Sequence, residues 1–478
     1  MDNARDRTDH GRQPVAVGAV CLACLTLLAS TRSPSLSASH PRGAGLRPLA
    51  IDAPAAPRPR RLISRRAGAN LGGARQVMDM PSASPLLRTV RLGAFPQSFL
   101  IDDPARRFVV LQSTGQDGYS GDYLVLTVLD ARTGAPLRTA SLRVPYPTEL
   151  LSNNVVVEVA VDPRSGRLLV ATADRPGTPS HLDIRDPRTL AVVATRRLHL
   201  ASASGGMLAD ARLSRLFILD VRAVGKGTAD VLDVADLRTG TLLRTVRLPA
   251  GNDIGEFALA ARAGRLFVGS RVLDARSLAV VATIPLGRLS YHGEASNAGG
   301  SYAVDEAAGR VVTSQTSTGP LPMTRVSIID ARSGAVLHTI DDVCISGEIA
   351  LDTVAGRIAC LDSTRLGETE SDVGVDILDT RSGRLLHQYE IGHLVGASAA
   401  INMDARHGRA IVVLAVNNGP GYADGITVVD LGSGRGTDSP VDLGQGPPDI
   451  AVDEATGRTF VVNQGDKTIS VLDTARLP

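Results

Sequence analysis

Tryptophan is absent from the sequence, and aromatic residues of all kinds make up only 3% of its 478 positions. The core must therefore be built from aliphatic side chains, which supply most of the 43% hydrophobic content. Among these, valine and isoleucine favour β-strands. A chain of this length is also too long for one simple core unless it repeats a structural unit.

An excess of one charge sign is also missing, because 51 Lys and Arg face 49 Asp and Glu, for a net charge of +2. Proteins that bind nucleic acid usually concentrate a strong basic excess on one face. The composition gives no such excess, and we expect no nucleic-acid partner.

Cysteine is scarce, with four residues in the chain. Cys21 and Cys24 have a CxxC spacing but lack the following His that covalent haem attachment requires. Cys344 and Cys360 lie in the body of the chain, and an oxidising compartment favours a disulfide between them. Simple hairpin pairing instead places Cys360 opposite Ile349, five residues from Cys344. The sequence leaves both outcomes open.

The N-terminal region is organised like an export segment followed by a tether. Within residues 1–39, arginines precede an apolar run at 15–30, which is short for a bilayer crossing but typical of a signal peptide. A membrane anchor is the alternative. Residues 40–84 are rich in Pro, Arg and Ala and lack apolar periodicity, so we predict a disordered linker. We expect an exported protein (extracellular, periplasmic or at the cell surface) with membrane contact only through the N-terminal segment.

From residue 85 onward, one phrase of four short strands recurs. Its first half reads strand, turn, strand, as in VAVDPRSGRLLVAT at 159–172. Its second half has the same form, as in VSIIDARSGAVLHTIDD at 326–342. Four strands per unit at a spacing near 50 residues is typical of β-propeller blades. We therefore predict an all-β propeller of four-stranded antiparallel blades over residues 85–478.

Two aspartate positions keep the register of this repeat, one in each turn. The first turn carries Asp in seven units, and Ala260 takes its place in the fourth. The second turn carries it in all eight units, at Asp130, Asp186, Asp236, Asp274, Asp330, Asp379, Asp430 and Asp473. Eight anchors predict eight blades, and seven is the alternative if the short unit at about 254–287 is degenerate.

The turn residues have structural roles that elementary chemistry predicts. An Asp at the end of a strand accepts hydrogen bonds from N–H groups of the turn. A Gly supplies positive φ where the hairpin reverses. An Arg five residues after the first-turn anchor is positioned to reach back toward that Asp. We assign none of these residues to catalysis.

The ends of the chain predict how the ring closes. The last unit contains three strands, and residues 86–92 precede the first complete unit. These residues read LLRTVRL, the same seven letters as the fourth strand of the third unit at 242–248. We predict that strand 86–92 completes the last blade and so removes an unpaired edge.

The phrases VDEATGRTFVVNQGDKTISVLDT at 452–474 and RSLAVVATIPLG at 276–287 resemble the repeats of the YVTN β-propeller family. Asn463 matches the Asn that follows the second strand in that family. The resemblance covers about 85–478 and is looser in units one to three. It implies an exported or surface propeller and transfers no catalytic residues, because the matching motif is a fold motif.

The longest and most variable segments fall on one face of the predicted ring, with the links between blades. They are 113–123, 144–154, 287–300, 314–324, 363–372 and 416–425. Binding residues usually lie on loops held by a rigid frame. We therefore predict that this face and the mouth of the central channel form the functional surface. Candidate binding residues near the inner-strand starts are Tyr291, His292, Glu294, His393, Glu149, Glu256 and Glu348.

These observations favour an exported binding or scaffold propeller that recognises a protein, a cell-envelope glycan or a small ligand, and we expect a monomer. The alternative is a hydrolase or lyase of the lactonase kind, with a metal or a His/Glu site in the channel. No cofactor is predicted, although the His and Glu candidates are compatible with a divalent metal whose ligands the sequence does not identify. A quinone- or haem-dependent dehydrogenase has no support, because a CxxCH motif and tryptophan are missing.

Overall fold

A computed structural model describes residues 84–478, apart from a set of short segments. These segments are 103–104, 114–122, 144–155, 174–179, 199–203, 225–226, 249–256, 286–289, 292–293, 296–300, 317–323, 345–347, 366–369, 396, 417–424, 440, 442 and 444–447. The predicted export segment and linker, residues 1–83, also lie outside the described residues. The described part of the chain contains no helix with the length and hydropathy of a membrane-spanning segment.

Eight antiparallel four-stranded sheets form the described fold, and their innermost strands contact one another in a closed ring. This confirms the predicted propeller with eight blades, and the seven-blade alternative is wrong. The fourth blade has four-residue strands but keeps all four of them. Short turns fold the blades, with Asp at most of the anchor positions and a residue of positive φ before the next strand. That residue is Gly in most turns and Leu190 or Leu278 in the second turns of blades two and four.

Blades one to four follow one another along the chain. Their strands are, in blade one, β2 (Phe95–Asp102), β3 (Arg107–Ser113), β4 (Tyr123–Asp130) and β5 (Pro136–Arg143); in blade two, β6 (Val156–Val161), β7 (Leu168–Ala173), β8 (Ser180–Arg185) and β9 (Val192–Leu198); in blade three, β10 (Ser204–Asp210), β11 (Arg215–Val224), β12 (Gly227–Asp236) and β13 (Leu242–Arg247); and in blade four, β14 (Phe257–Ala260), β15 (Arg265–Val268), β16 (Arg271–Asp274) and β17 (Val280–Thr283).

A two-stranded hairpin, β18 (Ser290–Tyr291) and β19 (Glu294–Ala295), lies in the link to blade five. The remaining strands are, in blade five, β20 (Tyr302–Asp305), β21 (Arg310–Thr316), β22 (Thr324–Asp330) and β23 (Val336–Asp341); in blade six, β24 (Ile349–Asp352), β25 (Arg357–Arg365), β26 (Glu370–Asp379) and β27 (Leu385–Val395); in blade seven, β28 (Ala397–Asp404), β29 (Arg409–Val416), β30 (Gly425–Asp430) and β31 (Gly436–Ser439); and in blade eight, β32 (Pro448–Asp453), β33 (Arg458–Asn463), β34 (Thr468–Asp473) and β1 (Leu86–Arg91).

The first strand of the chain closes the ring, as predicted. β1 pairs antiparallel with β34, with Val90 opposite Ile469, and is the outermost strand of blade eight. The N–H of Asp473 also donates to the carbonyl of Pro85 at 2.8 Å. Val90 is buried in the apolar cluster at this seam, so the closure contributes apolar packing as well as backbone hydrogen bonds.

The hydrophobic core lies between neighbouring blades. At the seam between blades one and eight, Phe108 and Phe460 stack with ring centroids 4.3 Å apart, and both are fully buried. Aliphatic residues from both blades surround this pair, among them Val110 and Val471. The same arrangement of apolar clusters recurs around the ring, which explains how a chain with few aromatic residues builds a large core.

The second turn, between the third and fourth strands, repeats one hydrogen-bonding pattern in seven blades. In blade five, the carboxylate of Asp330 accepts hydrogen bonds from the N–H and the hydroxyl of Ser333, each at 2.7 Å. These two bonds hold the pKa of Asp330 below its usual value. Gly334 follows with φ of 74°, a conformation that glycine adopts without cost. The predicted turn chemistry is confirmed.

The arginine that opens the second strand acts mainly between blades. Arg215, Arg265 and Arg458 donate to backbone carbonyls in the second turn of the next blade, at 2.8, 3.0 and 2.9 Å. Only some of these arginines reach the first-turn Asp of their own blade, as Arg107 and Arg409 do. The repeated Arg therefore joins adjacent blades, a role that the sequence of one unit does not reveal.

Cys344 and Cys360 form a disulfide, with Cα atoms 5.2 Å apart and both residues fully buried. The expected pairing of Cys360 with Ile349 is also present. The disulfide and the pairing of Cys360 with Ile349 are compatible because the backbone turns sharply before β24, with φ of 58° at Asp342 and 59° at Cys344. The N–H of Cys344 then donates to the carboxylate of Asp376 on β26 at 3.1 Å.

Candidate functional site

The structure describes only part of the predicted channel-mouth cluster. Tyr291 and Glu294 occupy the facing positions of the β18–β19 hairpin, so their backbones are paired. His292, Glu149 and Glu256 lie outside the described residues, as do most of the six variable segments. The prediction for this face therefore stays a prediction.

Two further candidates can be placed. Glu348 is half-buried and immediately precedes β24, the innermost strand of blade six. His393 lies on β27, the outermost strand of the same blade, where its backbone pairs opposite Asp372. Their elements are therefore at opposite edges of one sheet. Among the described residues, no group of three His, Cys, Asp or Glu side chains is arranged to hold a metal.

The described channel wall contains a cavity that was not predicted from the sequence. Its volume is about 340 Å³, within the size range of small-ligand sites. It lies along the innermost strands of blades six, seven and eight. Its lining residues are Ile349, Ala350, Leu351, Ile401, Asn402, Met403, Val452 and Glu454.

A chain of hydrogen bonds crosses this wall from blade seven to blade eight. The N–H of Met403 donates to Oδ1 of Asn402 at 2.7 Å, and Nδ2 of Asn402 donates to the carbonyl of Ile450 at 3.0 Å. The N–H of Ile450 in turn donates to Oδ1 of Asp449 at 2.9 Å. An innermost strand has one edge without a neighbouring strand, and these side chains satisfy part of that edge.

The Asn402 amide retains hydrogen-bonding capacity beyond these contacts. A primary amide has two N–H donors and an oxygen with two lone pairs. The described partners use one donor and one lone pair. The remaining groups can bind a secondary amide of a ligand, which offers one N–H donor and one carbonyl acceptor.

The pKa of Asp449 is raised above the usual value for an aspartate. Its side chain reaches solvent, yet the surrounding channel wall removes much of the water that would stabilise the charged form. This desolvation raises the pKa of Asp449 to about 6, against a smaller opposing effect of the N–H of Ile450. At neutral pH the carboxyl is mostly ionised, and it accepts hydrogen bonds or pairs with a cation.

Glu454 lines the cavity but also has a structural contact. Its Oε1 accepts the N–H of Ala405, in the first turn of blade seven, at 2.9 Å. Glu306 makes the corresponding contact with the N–H groups of Ala261 and Arg262 in blade four. Because the same device recurs away from the cavity, we assign Glu454 mainly to joining blades seven and eight.

Asn402 was not among the predicted binding residues, although the sequence contains a signal for it. The position two residues before the first-turn anchor is Leu or Ala in seven units and Asn only here. A polar residue that breaks an otherwise apolar column of the repeat indicates a local role. Asp449 carries a weaker signal, since it follows the segment GQGPP that varies from unit to unit.

Comparison with known proteins supports the fold alone. The chain is similar to the solved Dos1 propeller, with a TM-score of 0.55 and 13% identity over 81% of this chain and 95% of that one. It is also similar to the Pan2 WD40 domain of Neurospora crassa, with a TM-score of 0.46 and 10% identity over 81% and 94% of the two chains. Kuenenia stuttgartiensis hydrazine synthase gives a TM-score of 0.45 and 14% identity over 81% and 98%.

No family model matches the chain, and no curated protein matches it in sequence. The resemblance to the YVTN repeats therefore stays a prediction. Similarity at these identities shows the propeller fold and carries no activity, ligand or partner with it.

Proposed function

We propose that the protein is an exported β-propeller of the YVTN kind that binds a partner without chemically changing it. The observation that carries the proposal is the amide of Asn402, held on the channel wall beside the cavity with a donor and an acceptor still available. The variable face stays part of the proposal as the outer contact surface for the same partner.

The group recognised at this wall is a secondary amide. Peptide bonds and N-acetylated sugars both carry it, so a protein segment and a cell-envelope glycan share the required chemistry. Half-buried aliphatic residues such as Leu351 and Val452 flank the amide and suit the apolar atoms next to such a group. A cavity of this size holds a part of a larger partner that is no bigger than a small molecule, rather than the whole partner.

Export is supported by the disulfide between Cys344 and Cys360. Disulfides form and persist in oxidising compartments and are rare in the cytosol. The signal-like organisation of residues 1–39 agrees with this location.

Calorimetric titration of two probes tests the binding proposal. One probe is an N-acetylglucosamine oligomer, and the other is an extended peptide without ionisable side chains. Asn402→Leu keeps the approximate volume and removes the amide, and we expect at least about tenfold weaker binding of the recognised probe, as for the loss of a well-placed hydrogen bond. Glu306→Gln, at a distant first turn, is the control and should bind like the wild type.

The two probes distinguish glycan from peptide recognition. Equal binding by the wild type and Asn402→Leu, with unchanged melting temperatures, would remove the channel wall from the proposal. Binding of neither probe would contradict secondary-amide recognition at this site.

A hydrolase or lyase is the second candidate function, and the raised pKa of Asp449 favours it. A carboxyl that titrates near pH 6 suits general acid or base catalysis. Assay of the purified protein against simple lactones tests this candidate function. Turnover that Asp449→Asn abolishes would establish an enzyme that uses this carboxyl. Turnover that the substitution leaves unchanged would show that Asp449 does not take part in the reaction.

A further inference from the structure

The outermost strands of four consecutive blades differ in charge from the other four. In blades eight, one, two and three, strands β1, β5, β9 and β13 each contain two arginines and no acidic residue. In blades five, six and seven, β23, β27 and β31 contain no Lys or Arg and carry Asp341, Glu390 and Asp438. β17 of blade four is uncharged. We call β1, β5, β9 and β13 the basic rim.

The described arginines of the basic rim are accessible to solvent, although Nη1 of Arg244 donates to the carbonyl of Ser277 at 2.8 Å and Nη1 of Arg196 donates to that of Thr195 at 3.0 Å. Seven of them are exposed, namely Arg88, Arg91, Arg138, Arg196, Arg197, Arg244 and Arg247. Within the described part of the chain, none of the seven belongs to a salt bridge. Their charge is therefore available to an anionic surface.

Apolar side chains lie beside these arginines. Leu87, Leu137, Val193 and Leu243 are between 41% and 55% exposed at the start of the same four strands. Similar exposed residues occur in blades five and six, for example Leu337. The apolar positions thus belong to the repeat, and the charge distinguishes the rim.

The rim lies where the N-terminal region joins the propeller. The innermost strands of blades eight, one, two and three contact one another in that order, so the four basic strands are neighbours on the circumference. β1 is one of these strands, and it directly follows residues 1–85, which include the apolar run at 15–30. The chain therefore enters the propeller through a strand of the basic rim.

We propose that the basic rim docks on the surface of a bilayer rich in anionic lipid. The guanidinium groups pair with lipid phosphates, and the neighbouring Leu and Val side chains enter the interfacial region. Each basic residue near such a surface adds to the attraction, so the removal of several should raise the lipid requirement. This surface goes beyond the proposed partner site in the channel and does not depend on it.

Because the sequence contains no tryptophan, a single introduced tryptophan reports on its own position without background from other indoles. Leu137→Trp places one indole on the basic rim, and Leu337→Trp places one at the matching exposed position of blade five. The full chain carrying either reporter is mixed with vesicles of phosphatidylglycerol and phosphatidylcholine that contain a brominated lipid quencher. We expect quenching and a blue shift at position 137 but not at 337, and we expect both effects to fade at high salt.

Charge variants made in the Leu137→Trp chain sharpen the test. R91Q/R138Q/R197Q/R247Q removes one exposed arginine from each rim strand, and we expect it to need at least about tenfold more lipid for half-maximal quenching. R332Q/R381Q/R406Q/R435Q removes four exposed arginines from blades five to seven and should change this value less than about twofold. Both sets change the net charge equally, and both keep the N-terminal segment.

Three outcomes would overturn the proposal. Equal quenching at 137 and 337 would show that contact does not depend on the rim. An unchanged lipid requirement in the rim variant would show that its charge is irrelevant. Retention by an anionic polysaccharide, without reporter quenching by vesicles, would identify an anionic polymer instead. None of these results bears on the binding of amide probes, so failure here is distinct from failure of the proposed function.

Discussion

The second turns and the channel wall follow opposite rules. In the second turns, the same Asp and hydroxyl residue recur in seven blades with nearly the same geometry, as the pairs Asp330–Ser333 and Asp379–Ser382 show. On the channel wall at blades seven and eight, a hydrogen-bond chain runs through Asn402 and Asp449. Asn402 stands at a position that is Leu or Ala in the other seven units, whereas the position of Asp449 is also acidic in three other units.

Residues that follow the repeat can therefore be assigned to the structural frame, and a residue that departs from it is a candidate for the functional site. A residue that recurs at one position of every blade satisfies a requirement that every blade has, such as closing a hairpin or joining a neighbour. A residue that departs from the repeat has a local reason. The electrostatics agree, because turn hydrogen bonds lower the pKa of Asp330 whereas desolvation raises that of Asp449.

The largest effect should come from removing the closing strand. Deletion of residues 85–93 removes β1, exposes the edge of β34 and takes Val90 out of the apolar cluster at the seam. We expect a loss of roughly 5 kcal/mol or more of unfolding free energy, from several backbone hydrogen bonds and the lost apolar burial. Chemical denaturation measures it.

The control for this deletion is R88Q/R91Q, which changes exposed side chains of β1 and keeps its backbone pairing. We expect the control to match the wild type within about 0.5 kcal/mol. A deletion variant as stable as the control would refute the closure as a stabilising element.

A smaller effect is expected in the first turns, where only blades two and eight carry a hydroxyl three residues after the anchor position. In blade two, the hydroxyl of Ser165 donates to Oδ2 of Asp162. In blade six, Ala355 takes the place of that serine, and the buried Oδ2 of Asp352 has no described partner. We expect Ser165→Ala to cost about 1 kcal/mol and Ala355→Ser to add up to about 1 kcal/mol.

Thermal melts of the two variants measure these changes in stability. Ala455→Ser, at an exposed first-turn position of blade eight, is the neutral control. A destabilising Ala355→Ser would show that the site in blade six does not accept the hydroxyl that blade two uses. The orphan oxygen of Asp352 would then need another explanation.

The smallest effect is a difference in pH dependence between the two regions. Asp449 has a raised pKa, so its contribution to stability is present below its ordinary value of 3.8 and is lost as the pH rises through about 6. Asp449→Asn should therefore raise the melting temperature near pH 8 and change it little near pH 4. Melting curves at the two pH values measure this.

Asp330→Asn is the matched comparison, and its sign is opposite. The pKa of Asp330 is lowered, so its stabilisation is present above 3.8 and is lost as the pH falls below that value. We expect this variant to be less stable than the wild type near pH 8. If both variants shift in the same direction there, the electrostatic contrast between turn and channel wall is wrong.

The sequence predicted the frame well because the frame is repetitive. Eight second-turn anchors indicated the number of blades, and the duplicated heptapeptide at 86–92 and 242–248 indicated the closure. The turn anchors reflect local chemistry, since an Asp at a strand end accepts hydrogen bonds from its own turn wherever the turn lies along the chain. The closure is a long-range pairing, and its signal was a last unit with three strands. The blade-to-blade role of Arg265 was missed because it depends on the neighbouring unit.

The channel wall could not be predicted in the same way. The cavity exists because residues near 350, 402 and 452 become neighbours only when three blades are assembled. The disulfide between Cys344 and Cys360 depends on positive φ at Asp342 and Cys344, and neither residue type predicts that conformation from the sequence. The predicted group of His292, Glu294 and His393 stays a prediction.

Hydrogen–deuterium exchange with and without the probe that binds most tightly tests the central claim most directly. Peptides that cover 397–404 and 448–453 include the wall that carries Asn402 and Asp449. We predict that the probe slows exchange in these peptides and leaves the second-turn peptides unchanged. Slower exchange at the repeated turns, with none at 397–404, would show that the frame rather than the channel wall holds the partner.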